Sequence, residues 1–173
     1  MLWQETAFGE DPIEDINGLY NSILKYQTSL ETNYSMQDVH INTENEIIDY
    51  LIYNSYRTSK EMNIKAIICF THNWYAVSRL STLKPSIPII AFTKIDDTYK
   101  YLNLLWAVKG YKISNSFDYQ HVKKIGKEII RIIFKGNISL DDKILILHAN
   151  DAAEIDTIDN IMNWIEIYKF KDI

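Results

Sequence analysis

Carboxylates are the densest chemical feature of this chain: Asp151, Glu154, Asp156 and Asp159 fall in one loop between two apolar runs. Oxygen-rich loops can hold Ca²⁺. The D-x-D-x-D-G spacing that wraps the ion is missing, as is its glycine, so the loop reads as a solvated acidic turn. His40, His72, His121 and His148 are scattered, with no H-x-x-x-H pair and no Cys neighbour, so no metal site is expected. Cys69, the single cysteine, sits in the apolar run IKAIICF and reads as a small buried hydrophobe rather than a reactive thiolate. Trp74, Trp106 and Trp164, with many tyrosines, offer flat faces for base stacking. Without a basic patch they read as core and interface packing. No G-x-G-x-x-G run marks a dinucleotide site.

These residues must be positioned by a chain of 173 residues, long enough for one domain with a real core. A net charge of −5 gives no general attraction for nucleic acid or an anionic membrane surface. One cysteine cannot form an intrachain disulfide, which fits a cytoplasmic location. No stretch is apolar enough to span a membrane, and the acidic N-terminus MLWQETAFGEDP lacks the pattern of a signal peptide.

Glu10-Asp11-Pro12 opens a helix predicted over 11–30, with Ile13, Ile16, Leu19, Ile23 and Leu24 on one face. Residues 31–41 read as a linker. Thr43 and Glu46 form a capping box for a second helix, to about residue 62. Buried strands follow at 64–70 and 89–92, separated by a helix over 72–82 that ends at Lys84-Pro85. A helix over 97–106 in a segment that Gly110 ends, a strand at 111–114, a long helix from Asp118 to Phe134 with Gly136 as its stop, and strands at 143–147 and 161–168 complete the pattern. Strands alternating with helices, apolar on both faces, predict a three-layer α/β domain with a mostly parallel sheet of about five strands and helices on both sides.

The run from Lys65 to Ser114 resembles the C-terminal domain of pyruvate kinase. That family shows A-I-I, then T-x-S-G-x-[ST]-A, then R-P-x-x-P-I-I-A-x-T. Ala66-Ile67-Ile68, Thr71, Pro85, Pro88-Ile89-Ile90-Ala91 and Thr93 stand at matching spacings. Leu102, Leu104 and Trp106 match its next helix and L-x-W-G turn, with Ala107 in place of the glycine. Residues 1–16 are similar to the family's M-L-S-G-E-T-A-x-G-x-x-P-x-E-A-V at Met1, Leu2, Glu5, Thr6, Ala7, Gly9, Pro12 and Glu14.

The resemblance implies that residues 1–30 are the remnant of the last strand and helix of a catalytic barrel, 31–41 a linker, and 42–173 the C-terminal-like α/β domain. The barrel itself needs about 250 residues, and the family's catalytic groups lie on it. No catalytic residue is therefore expected in this chain. The Mg²⁺ and K⁺ of the family belong to that barrel, and no cofactor is expected here. The implied role is assembly or regulation: a homo-oligomer or a barrel-containing partner.

In many members the C-terminal domain also takes a sugar-phosphate activator at the loop after its first strand. Here that loop is Thr71-His72-Asn73-Trp74-Tyr75-Ala76. Thr71 keeps its hydroxyl, Asn73 stands at a serine position and His72 adds charge when protonated. Trp74 replaces the glycine that lets backbone wrap a phosphate, and Ala76 replaces a hydroxyl residue. The family's second effector loop, glycine-rich and ending in T-N, corresponds to His148–Asn160, which has no glycine and carries the four acids. Thr71, His72 and Asn73 thus form a degenerate phosphate-like loop, and sugar-phosphate activation is expected to be lost.

Overall fold

The computed structural model describes residues 9, 11–31, 45–114, 119–149 and 163–173. The chain divides into two compact units, residues 1–39 and 40–173.

In the first unit, helix α1 spans Pro12–Glu31. Pro12 opens it, where a missing N–H costs nothing. Asp11 caps it: its Oδ1 accepts the Glu14 N–H at 3.1 Å. The residues that share its apolar stripe, from Ile13 to Leu24, are all exposed. The matching run Met1–Ala7, linker residues 32–41 and Thr43 lie outside the described residues; the helix that Thr43 and Glu46 were expected to cap begins at Glu46 with Asn45 at its N-cap instead.

In the second unit, α2 (Glu46–Glu61) leads into β1 (Ile64–Phe70), α3 (Tyr75–Thr82), β2 (Ile89–Thr93), α4 (Asp96–Leu102) and β3 (Val108–Lys112). Then come α5 (Tyr119–Ile133), β4 (Lys143–His148), β5 (Trp164–Lys169) and a 3₁₀ turn at Phe170–Asp172. The strands form one five-stranded sheet in the order β3-β2-β1-β4-β5. β1 pairs in parallel with β2 and β4, β2 in parallel with β3, and β5 closes the edge antiparallel to β4.

Alternation along each strand sends side chains to two cores. On one face Ile67, Cys69, Ile89 and Leu145 meet Ile48 and Ile52 of α2, Val77 and Leu80 of α3 and Leu102 of α4. On the other, Ile68, Ile90, Phe92 and Ile146 meet Val122 and Ile130 of α5 and Phe170. Every residue of β2 is buried, which is the signature of a sheet covered on both sides. The three-layer α/β architecture read from the sequence is the one observed.

Several boundaries differ from the sequence reading. Helix α3 starts at Tyr75 rather than residue 72, because Asn73 turns the chain first. Helix α4 ends at Leu102 rather than Trp106, and β3 starts at Val108 rather than residue 111. Gly110, read as the end of the segment before β3, lies inside β3: a Cβ there would stand 2.9 Å from Leu102 Cβ, so the strand approaches α4 too closely for a side chain. The stop of α5 also falls one residue earlier than Gly136. Lys135 takes the left-handed conformation first (φ 50°), donating its N–H to Ile132 O, while Gly136 N–H reaches Arg131 O at 2.9 Å. This pair of bonds is a Schellman stop.

Candidate functional site

The loop after β1 emerges at the carboxyl end of the sheet, beside the point where the chain, having run from β1 through β2 to β3, crosses to β4 on the other side of β1. Thr71 continues the line of β1, its N–H donating to Phe92 O on β2 at 3.0 Å. Its side chain is buried, and its hydroxyl donates to the Asn73 carbonyl two residues on. Asn73 then folds back: its Oδ1 accepts the Tyr75 N–H at 3.1 Å, at the start of α3. His72 is half-buried, and its carbonyl accepts the Thr98 hydroxyl at 3.2 Å, tying the loop to α4.

Of the three residues singled out from the sequence, Thr71 and Asn73 are thus bonded to each other, while Asn73 and His72 are also tied to Tyr75 and Thr98. An anion at a helix N-terminus needs free N–H and hydroxyl donors aimed at it. Here the Thr71 N–H, the Thr71 hydroxyl and the Tyr75 N–H each have an internal acceptor. Trp74, at the glycine position, is exposed and its ring packs 5.1 Å from that of Tyr101. The second wall of a phosphate site falls beyond Ala149, and the acids Asp151 to Asp159 lie outside the described residues.

The start of α3 has an anchor that the sequence reading missed. Asp49 of α2 is buried; it accepts the Tyr75 hydroxyl at 2.9 Å and pairs with Arg79 at 3.4 Å. Burial, then the bond to Asp49, pushes the Tyr75 phenol above its usual range. A carboxylate in the first turn of a helix reads as a dipole partner, so nothing local marked Asp49 as buried. The only signal was its place one residue after the core position Ile48. This cluster fixes α3 against α2 and so fixes the exit of the Thr71 loop. It is structural chemistry, with no reacting group of a phosphoryl transfer in it.

Among the described residues no group of three or more His, Cys, Asp or Glu side chains comes together to hold a metal ion. His121 is exposed on α5 and His148 ends β4. Cys69 is fully buried, and burial pushes its thiol up to about 12, which makes it inert. Among the described residues no helix is long and apolar enough to cross a membrane.

Comparison with known proteins agrees with this geometry. The family model for the pyruvate kinase alpha/beta domain matches residues 49–162. A pyruvate kinase of Methanocaldococcus jannaschii is 32% identical over 142 residues, covering 76% of this chain and 31% of that protein. One of Clostridium perfringens is 29% identical over 134 residues, covering 74% of this chain and 28% of the other. In structure, a pyruvate kinase of Cryptosporidium parvum superposes with a TM-score of 0.69 at 17% identity, over 98% of this chain and 32% of that one. The chain spans less than a third of the length of the curated relatives named here. With two thirds of its length matched by one family model, this chain belongs to the pyruvate kinase alpha/beta domain family.

Proposed function

We propose that this chain serves assembly within the pyruvate kinase family, holding subunits together, and does not by itself transfer phosphate from phosphoenolpyruvate to ADP. The observation that carries the reading is the outer edge of the sheet. β5 is the last strand in the order and, among the described residues, pairs only with β4. Ile165 packs into the core beneath α2, while Ile167, two residues on and on the same face, is exposed. Ile47, in the first turn of α2, is also exposed. An open strand edge with apolar neighbours is a template for pairing with another chain. A second copy of this domain, paired antiparallel along β5, is the occupant we propose.

The apolar stripe of α1 serves the other half of the reading. Ile13, Ile16, Tyr20 and Ile23 form a face that a soluble protein covers. The match covers less than a third of each relative, and the cover we propose is a barrel-bearing chain that would also bring the catalytic groups and their Mg²⁺ and K⁺. The self-bonded Thr71 loop supports the loss of sugar-phosphate activation.

The test is direct. The purified chain, given phosphoenolpyruvate, ADP, Mg²⁺ and K⁺, is expected to show no turnover, and clear turnover defeats the proposal. In sedimentation it is expected to associate as concentration rises. A monomer at every concentration removes the assembly role.

A further inference from the structure

In open α/β sheets, ligands bind in the crevice at the carboxyl ends of the strands, where the chain's path reverses direction across the sheet. That point here lies between β1 and β4. From β1 the chain leaves through α3 on one face, and it returns to β4 through α5 on the other.

Phe70 and His148 are the last residues of the two strands and pair across them, their rings 5.8 Å apart. Trp164, the first residue of β5, stacks on His148 with 4.0 Å between ring centres and 25° between planes. Tyr119, in the first turn of α5, meets Trp164 edge-on at 6.2 Å and Phe70 at 5.4 Å. Four elements thus give one ring each, and the contacts close into a circuit. Three of the four separations lie within the range of favourable aromatic pairs, and the His148–Trp164 stack is closer still.

The circuit is held from outside. The Tyr119 hydroxyl donates to Glu166, and the Lys123 ammonium, one turn along α5, stands 3.7 Å from the ring centre of Tyr168. Trp164 Nε1 is buried without a hydrogen-bond partner among the described residues.

We infer that the switch-point crevice of this chain is filled from within, the rings of Phe70, His148, Trp164 and Tyr119 taking the space a small ligand occupies in sheets of this kind. The domain then holds one state without an effector. This deepens the assembly reading, and it rests on that reading only for its consequence. The plug is tested by ligand binding, whereas association is tested by sedimentation, so either can fail alone.

The experiment is cavity rescue in the full chain. Wild type, titrated calorimetrically with indole and with inorganic phosphate at millimolar concentration, is expected to give no saturable heat. Trp164→Ala is expected to lower the thermal midpoint by about 5–10 °C. It should also bind indole saturably, with indole restoring at least half of the lost midpoint. If the alanine variant does not fold, Trp164→Leu carries the same two readouts. Saturable binding of either probe to wild type shows an open crevice and overturns the inference. So does a folded Trp164 variant that binds no indole, whatever its midpoint.

Discussion

Ala107 turns the chain from α4 into β3 with φ 58°, a conformation that favours glycine. Its carbonyl accepts the Ile89 N–H at 2.8 Å, so the strained turn also holds β2 in place. Ala107→Gly relieves the Cβ clash at some cost in unfolded-chain entropy, and is expected to stabilise the chain by about 0.5–1 kcal/mol. Denaturant titration checks it; an unchanged or lower midpoint would show that the turn carries no strain. Cys69 gives a pH prediction of definite sign. The folded thiol keeps its proton to about 12, whereas the ordinary value is 9.0. Below pH 9 both states hold the proton and its contribution is intact. As pH climbs toward 12 the unfolded chain sheds a proton that the folded one keeps, so stability falls by up to about 1.4 kcal/mol per unit. Tyr75 and Tyr119, both raised chiefly by burial, act in the same direction above pH 10. Urea midpoints at pH 8, 9 and 10 are expected to drop less for Cys69→Ala than for wild type. Parallel curves would mean that the thiol is not protected.

At the scale of elements, Gly110 governs how closely β3 and α4 can lie. The Leu102 Cβ that a new methyl would meet is fully buried and cannot swing away. Gly110→Ala is expected to cost about 2 kcal/mol. Gly18→Ala, on α1 where a Cβ meets nothing, is expected to raise helicity instead. Melting curves and circular dichroism of the two variants test the contrast; equal effects would refute it. The same glycine shows why some elements were legible and others shifted. β1, β2 and β4 were read at nearly their true bounds because continuous apolar runs have no other stable place than a covered sheet. The α4–β3 region was displaced because Gly110 was taken for punctuation. Its real constraint, contact with a residue eight positions earlier, has no local signature. The Thr71 loop was singled out through the family resemblance, while its self-bonding depends on Asn73 turning back onto Tyr75. Asp49 was missed for the same reason: the partners that bury it are 26 and 30 residues away.

On the scale of the whole molecule, the sheet has two edges and they are defended unequally. β3 carries Lys109 and Lys112 outward, the second paired with Asp96, and lysine on an edge discourages pairing. β5 has its lysine at the end, where Lys169 is engaged with Asp141, and presents Ile167 along the strand itself. Under the assembly proposal, the asymmetry makes β5 the expected joining edge. A charge at Ile167 would supply the protection that β3 already has, without entering the core. Ile167→Asp is therefore expected to keep the circular dichroism spectrum of wild type and to weaken self-association by about tenfold or more, as loss of an apolar contact at an interface centre does. A matching change at Lys109, on the guarded edge, is expected to leave association unaltered. Sedimentation equilibrium across a concentration series separates the two. Equal dissociation constants for wild type and Ile167→Asp would mean that subunits meet somewhere other than the open strand.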